Sequence, residues 1–241
     1  MHIMKTKLLT APQDNSTIKY LLNNMDHAQL LVPNVTNDMV DRVCQEAIYY
    51  GFNSVVATGH TVERTIKWLK DTPVHTLFGF GDAGRFALDG KVVVLKRVLD
   101  MGAEEVDFIM NMPRFLEGEY TMVQDEVSTL VEICKPYGVG LKLIIECGLL
   151  TDAQKLKAVE IGIAGGAEFI KTASGSNGTG TINMHNILLL KQAINGRAKL
   201  KASSGIQTLE DAMVYMEAGA DRTAGRDNMV QQLKELGYKP E

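Results

Sequence analysis

Short apolar runs of strand length alternate with amphipathic segments of helix length along the chain. In the longer segments, apolar residues recur every three or four positions, which is the period of one face of a helix. Glycines such as Gly51 and Gly102 follow two of these segments and indicate where a helix ends. The pattern repeats about every 25 to 35 residues. Strands that alternate with helices in this way favour a parallel sheet covered by helices.

The alternation predicts eight strands, each followed by a helix. The predicted strands are residues 26–32, 53–58, 74–80, 105–111, 139–146, a run that carries Lys171, 199–203 and 220–224. The predicted helices are residues 14–24, 37–50, 61–70, 91–101, 120–134, 152–161, 182–194, 209–217 and 228–236. Eight such units in 241 residues predict a (β/α)8 TIM barrel of the α/β class. A doubly wound open sheet is the alternative. No linker or low-complexity tract divides the chain, so we expect residues 1–241 to form a single domain.

The charge balance indicates a small-molecule partner. The net charge is −4 and no block of lysine and arginine stands out, which argues against nucleic acid and against a membrane surface. No apolar run reaches the roughly 18 residues of a membrane span, and the apolar run in the first ten residues is too short for a signal peptide. We therefore expect a cytoplasmic protein. The cysteines and histidines lack metal-binding spacings, so no metal is expected. A homo-oligomer, either dimer or tetramer, is compatible with the sequence.

Three of the predicted strands carry a lysine, a residue that is costly to bury without a partner. They are Lys142 in VGLKLIIE, Lys171 in AEFIKTASG and Lys201 in AKLKASSG. Alternate residues of a strand share a face, so these lysines and Asp107 of EVDFIMN can point to one axis of the barrel. Active sites of such barrels lie at the carboxyl ends of the strands. The cluster therefore predicts a reactive site, and a purely structural layer of salt bridges is the alternative.

Two amines and one carboxylate suit the chemistry of a Schiff base. A neutral amine attacks a carbonyl, and the resulting iminium accepts the electrons of a carbon–carbon bond. The ordinary pKa of lysine is about 10.4, but burial and a second ammonium lower it. Lys171 and Lys201 can form this couple, with Asp107 moving protons through a water molecule. This chemistry requires no cofactor.

These segments resemble a known family. EVDFIMN, LKLIIECGLL, AEFIKTASG and LKASSGIQTLEDA, in this order and spacing, are similar to the core motifs of the deoxyribose-phosphate aldolase family. DHAQLLVP is similar to its first-strand motif, and the resemblance extends over residues 25–228. It implies a TIM barrel and a class I aldolase. Such an enzyme reversibly cleaves 2-deoxyribose 5-phosphate, or a closely related deoxy sugar, into acetaldehyde and an aldehyde such as glyceraldehyde 3-phosphate.

The resemblance also implies roles for individual residues. Lys171 would form the Schiff base, Lys201 would tune it, and Asp107 would relay protons. The expected substrate contacts are Thr172, Gly175, Ser204, Gly205, Gly225, Arg226 and Lys142. For Lys142, a structural ion pair with Glu146 is the alternative.

The chain departs from the family in the segments that usually bind phosphate. Gln207 stands where an arginine is common, which removes a fixed positive charge, and Asp227 adds a negative charge where a serine is expected. Ala224 also stands where a glycine is expected. These three departures together support the hypothesis that the aldol machinery is intact and the distal pocket is altered. Arg226 or Arg85 is the alternative source of the lost charge. Two further alternatives are the same iminium chemistry on a different or non-phosphorylated sugar, and an inactive barrel that binds a metabolite.

Overall fold

The computed structural model describes residues 15–79, 86–175 and 182–240. The strands are β1 (Met25–His27), β2 (Ser54–Ala57), β3 (His75–Gly79), β4 (Glu105–Ile109), β5 (Leu141–Ile144), β6 (Phe169–Lys171), β7 (Lys199–Lys201) and β8 (Thr223–Gly225). The α-helices are α1 (Asn15–Asn23), α2 (Asn37–Tyr50), α3 (Val62–Leu69), α4 (Leu88–Met101), α5 (Met112–Leu116), α6 (Tyr120–Cys134), α7 (Asp152–Ala164), α8 (Met184–Ile194), α9 (Leu209–Glu217) and α10 (Asp227–Glu235).

The eight strands form one parallel sheet that closes on itself. Each strand from β1 to β7 pairs with the next along the chain, and β1 also pairs with β8. Between β7 and β8, Lys201 and Arg222 form a parallel bridge, and the Ala202 N–H donates to the Arg222 carbonyl at 2.8 Å. The predicted (β/α)8 TIM barrel is confirmed.

Local capping signals explain where several helices begin and end. The Thr36 hydroxyl accepts the Met39 N–H at the start of α2, and Gly51 ends this helix with a φ of 77°. Thr151 and Gln154 form a capping box at the start of α7. Because these signals are local, the sequence predicts the bounds of α2 without knowledge of the tertiary contacts.

The strands are shorter than predicted, and one helix was not predicted. β1 ends at His27 although the apolar run continues to Val32, because the chain leaves the barrel after the last backbone pairing with β2 and β8. The short helix α5 follows β4 directly, where the Asn111 side chain accepts the Arg114 N–H.

The apolar core lies between the sheet and the surrounding helices, whereas charged residues occupy the barrel interior. Leu22, Leu95 and Phe108 are completely buried in this core. Asp107, the neighbour of Phe108 on β4, is also completely buried but points to the opposite face of the strand. Among the described helices, none has the length and apolar character needed to cross a membrane.

Candidate active site

Three charged side chains from different strands meet inside the barrel. The Lys171 ammonium on β6 donates to Asp107 Oδ2 on β4 at 2.6 Å, and Lys201 on β7 donates to the same oxygen at 2.9 Å. All three residues are buried. The structure thus brings together the three residues that the sequence selects as candidates for catalysis.

The register of β6 and β7 holds the two lysines side by side. Lys171 and Lys201 are direct partners in this parallel pair. Just beyond them, the Thr172 hydroxyl accepts the Ser203 N–H at 2.9 Å and donates to the Ser203 carbonyl at 2.8 Å. Thr172, an expected substrate contact, is completely buried and is not among the residues that line the cavity described below; its hydroxyl joins the ends of β6 and β7.

A second carboxylate holds Lys201 from the other side. Lys201 Nζ lies 2.5 Å from Asp26 Oδ2, and Asp26 Oδ1 accepts hydrogen bonds from Arg222 at 2.8 Å and from Ser54 at 2.9 Å. Asp26 and Arg222 were not predicted as site residues. The only sequence signal for Asp26 is its position in the DHAQLLVP segment, because a single aspartate in a short strand carries no periodicity of its own.

Toward the amino ends of the strands, a further set of charges lies beneath this pair. Glu105 contacts Lys142, lies 2.8 Å from His75 Nδ1 and lies 3.4 Å from the Arg222 guanidinium. Positive and negative groups therefore alternate from Lys171 down to His75, which reduces the cost of burying each of them.

Lys142 and Glu146 occupy different places from those predicted. The Lys142 ammonium pairs with Glu105 beneath the cavity, so the structure does not bring it to the substrate side as expected, and the alternative pair with Glu146 does not form either. Glu146 instead accepts the Ser174 N–H at 3.2 and 3.3 Å and thereby holds the loop that follows β6. The sequence could not distinguish these pairings, because both place Lys142 on the inner face of β5.

Burial and neighbouring charges give the two lysines opposite properties. Burial lowers the pKa of Lys171 to about 8; Asp107 opposes this shift, and the Lys201 ammonium adds to it. Burial also opposes the charge of Lys201, but Asp107 and Asp26 outweigh it and raise the pKa of that amine. Likewise, the ammonium groups of Lys171 and Lys201 outweigh burial and hold the pKa of Asp107 well below its usual range. At neutral pH roughly a tenth of Lys171 is free amine, while Lys201 stays charged.

A cavity of about 360 Å³ opens from Lys171 toward the carboxyl ends of the strands. The predicted contacts that line it are Gly175, Ser204, Gly205, Gly225 and Arg226. Gln207, which the sequence marks as a departure from the family, lines it too, and lining residues that the sequence did not select include Ala28, Leu31, Val56, Ser203 and Asn228. Most of these are small or apolar and carry no chemical signal in a single sequence.

The loop after β7, which forms one wall of the cavity, has two consecutive residues with positive φ angles. Ser204 and Gly205 both have a φ of 80°, a left-handed conformation that favours glycine. A serine in this region costs about 1 kcal/mol or more, so the surrounding loop must hold it there. Arg85, named above as an alternative source of positive charge, and residues 176–181, which follow Gly175, lie outside the described residues.

One group of ligand-type atoms lies behind β1, but cations already neutralise it. The His27 ring, stacked on Phe52, has its Nε2 atom 3.7 Å from Glu46 Oε2, and Asp227 is close to both. Arg42 contacts Glu46 at 2.8 Å and Asp227 at 2.9 Å. A metal ion there would have to displace this guanidinium, so we assign no metal to the cluster.

Comparison with known proteins identifies the family of this chain. The sequence matches the profile of the DeoC/LacD family of aldolases over residues 20–229. It is 35% identical over 209 residues to the deoxyribose-phosphate aldolase of Caldicellulosiruptor saccharolyticus, covering 86% of this chain and 94% of that one. It is 37% identical over 201 residues to the enzyme of the same name from Caldanaerobacter subterraneus, covering 82% and 86%.

Solved structures show the same relationship. A putative deoxyribose-phosphate aldolase from Coccidioides immitis superposes with a TM-score of 0.84 at 29% identity, covering 90% of this chain and 87% of that chain. The deoxyribose phosphate aldolase of Aeropyrum pernix, described as a unique tetrameric structure, gives 0.82 at 26% identity and covers 95% of each chain. On these matches the chain belongs to the DeoC/LacD family of aldolases and is a carbon–carbon lyase.

Proposed function

We propose that this protein is a class I aldolase that cleaves 2-deoxyribose 5-phosphate, or a close relative of it, through a Schiff base on Lys171. The observation that carries the proposal is the contrast between two neighbouring amines. Lys171, with a pKa of about 8, lines an open cavity, whereas the fully buried Lys201 is held as an ammonium by two carboxylates. Only Lys171 combines access to substrate with a useful fraction of free amine.

In the first step the free amine of Lys171 adds to C1, the aldehyde carbon of the open-chain sugar. The carbinolamine that forms takes up a proton and loses water, which leaves a positively charged iminium. The Lys201 ammonium disfavours a second positive charge on the unreacted Lys171, so the neighbour promotes the nucleophilic form.

In the second step the 3-hydroxyl group loses its proton and the bond between C2 and C3 breaks. The electron pair of that bond forms a double bond between C1 and C2, and the π pair of the iminium returns to the nitrogen, which gives a neutral enamine. C3 becomes the aldehyde carbon of glyceraldehyde 3-phosphate. Protonation of C2 and hydrolysis of the new iminium then release acetaldehyde and regenerate Lys171. Each step is reversible, so the same groups support aldol addition.

Asp107 is suited to orienting a water molecule or a hydroxyl group as a hydrogen-bond acceptor rather than to holding a proton. Its pKa lies well below the usual range, so it is a carboxylate at neutral pH. Oδ2 binds both lysines, whereas Oδ1 makes no hydrogen bond to any described residue. Oδ1 is buried 4.0 Å from the Lys142 ammonium, and Asp107 does not line the cavity, so we propose that its lone pairs bind a water molecule through which a proton moves to and from the substrate.

Borohydride trapping tests the proposal directly. Reduction in the presence of acetaldehyde, and separately of 2-deoxyribose 5-phosphate, is followed by intact mass measurement and peptide mapping. We expect a reduced adduct on Lys171 with both compounds and none in Lys171→Ala. Lys199→Ala is the matched control, because Lys199 lies on β7 but is exposed and pairs with Glu168. Absence of any adduct on Lys171 would overturn the proposal and favour a barrel that binds a metabolite without reacting with it.

A further inference from the structure

The cavity that opens from Lys171 has two walls of different chemistry. One wall lies on and next to β1, β2 and β8, and its side chains are the apolar ones of Ala28, Leu31, Val56 and Ala224. The other wall comes from the loops after β6 and β7 and from the start of α10. It offers hydroxyl and amide groups, among them those of Ser174, Ser203 and Asn228. A substrate held at Lys171 therefore lies between an apolar and a polar surface.

The apolar wall is packed as a unit. Its four side chains join the completely buried Leu77 of β3 in a small cluster that is separate from the main apolar core. Leu31 and Val56 also pack against the backbone of Gly79 at the end of β3. A Cβ atom built on this glycine would lie 3.1 Å from Val56 Cγ1 and 3.8 Å from Leu31 Cδ2. These contacts hold both side chains in place beside the cavity.

The strand order places this wall opposite the reactive lysine. β2 is four strands away from β6 in either direction around the eight-stranded barrel, so Val56 and Lys171 face each other across its axis. An alkyl group bound against Val56 leaves water at a gain in free energy. A hydroxyl group in the same place would lose its hydrogen bonds to water and find no partner. The wall therefore favours a substrate whose side toward β2 carries only carbon and hydrogen.

From these observations we infer that Leu31 and Val56 are specificity-determining residues, and that the enzyme also adds acetaldehyde to saturated aliphatic aldehydes without hydroxyl groups, such as butanal. The inference rests on the proposed function, because it uses the same enamine on Lys171. C2 of the enamine forms a bond to the aldehyde carbon of butanal, and the aldehyde oxygen takes up a proton and becomes a hydroxyl group. Water then hydrolyses the iminium. One acetaldehyde and one butanal thus give one 3-hydroxyhexanal, with no other reactant consumed.

A competition between two uncharged acceptors tests the inference. Acetaldehyde is supplied with butanal and glyceraldehyde together, and the amounts of 3-hydroxyhexanal and 2-deoxypentose formed give the ratio of kcat/KM for the two acceptors. We expect the wild type to form 3-hydroxyhexanal. Val56→Thr keeps the shape of the side chain and adds a hydroxyl group, so it should lower the ratio of butanal to glyceraldehyde by about 10-fold. Leu31→Ala removes apolar contact area and should lower the ratio too, through a higher KM for butanal.

Val55→Thr is the matched control. Val55 precedes Val56 on β2 and is also buried, but it belongs to the core between the sheet and the helices and does not line the cavity. The same substitution there should cost stability and leave the ratio of the two products unchanged. An unchanged ratio in Val56→Thr, or an equal fall in Val55→Thr, overturns the inference.

Borohydride trapping of acetaldehyde on Lys171 separates this inference from the proposed function, because the adduct forms before any acceptor binds. A wild-type enzyme that forms the adduct but no 3-hydroxyhexanal would refute the inference and leave the proposed function standing. Absence of the adduct overturns both.

Discussion

The Nζ atom of Lys201 lies 2.5 Å from Oδ2 of Asp26, and both residues are completely buried. Asp26 therefore provides the second carboxylate that keeps Lys201 charged, in addition to Asp107. Without it, one carboxylate would have to neutralise two ammonium groups. The proton balance between Lys171 and Lys201 thus depends on a side chain from β1, a strand that pairs with neither β6 nor β7.

We expect Asp26→Asn to destabilise the protein by roughly 3–5 kcal/mol, because it leaves Lys201 and Arg222 buried with one fewer negative partner. Ser54→Ala is the control, since it removes only a hydrogen bond to the same carboxylate and should cost about 1 kcal/mol. Chemical denaturation of the three proteins measures both values. Equal stability of Asp26→Asn and the wild type would mean that the charges beneath the site are not coupled.

The pKa of Lys171 predicts a pH dependence for the first chemical step. Because this pKa is lowered to about 8 and the free amine is the nucleophile, the rate of adduct formation should rise with pH and level off above about 8. At pH 6 the rate should be roughly a hundredth of its plateau value. Rapid-quench trapping with acetaldehyde measures this profile without the later steps. A profile that stays flat from pH 6 to 9 would show that Lys171 is already neutral or does not react.

Replacing Lys201 should move that profile to higher pH. In Lys201→Leu the neighbouring ammonium is lost while Asp107 remains, so the Lys171 ammonium is stabilised and its pKa rises above about 8. Lys201→Arg keeps the charge and should hold the profile closer to that of the wild type. The informative quantity is the midpoint of the profile, because a purely structural defect would lower the plateau and leave the midpoint in place.

The sequence predicts the barrel from the repeated alternation of strand and helix patterns. It predicts the three central residues because charged side chains in buried strands are energetically costly and therefore stand out. The end of α2 follows from a local signal, Gly51, and a lysine in a strand is conspicuous because burying it requires a partner. The pairing of each charge is a different matter. Asp107, Asp26 and Glu105 are all acidic residues in short strands, and only the closed sheet determines which lysine each one contacts.

The turn after β8 shows again that a single sequence does not reveal which charged residues pair with each other. The sequence presents Arg226 and Asp227 as adjacent opposite charges, and a single sequence does not reveal that one lines the cavity while the other pairs with α2. That separation depends on Arg42, which is distant in the chain by 185 residues. Tertiary contacts of this kind decide the electrostatics of a pocket, even where the motif around it is recognisable.

Lys91 on α4 and Glu126 on α6 form a buried ion pair outside the barrel, at 2.7 Å, and this pair gives a prediction for stability alone. Lys91→Met leaves Glu126 buried without its cation, so we expect a loss of roughly 3–5 kcal/mol in the free energy of unfolding. Glu126→Gln removes the negative charge and leaves Lys91 with two neutral acceptors, the Ile109 carbonyl and the amide oxygen of the new glutamine, so it should also destabilise. The double variant should be more stable than Lys91→Met, because it removes both charges together. Urea denaturation measures all three, and strictly additive losses would show that the two side chains do not interact.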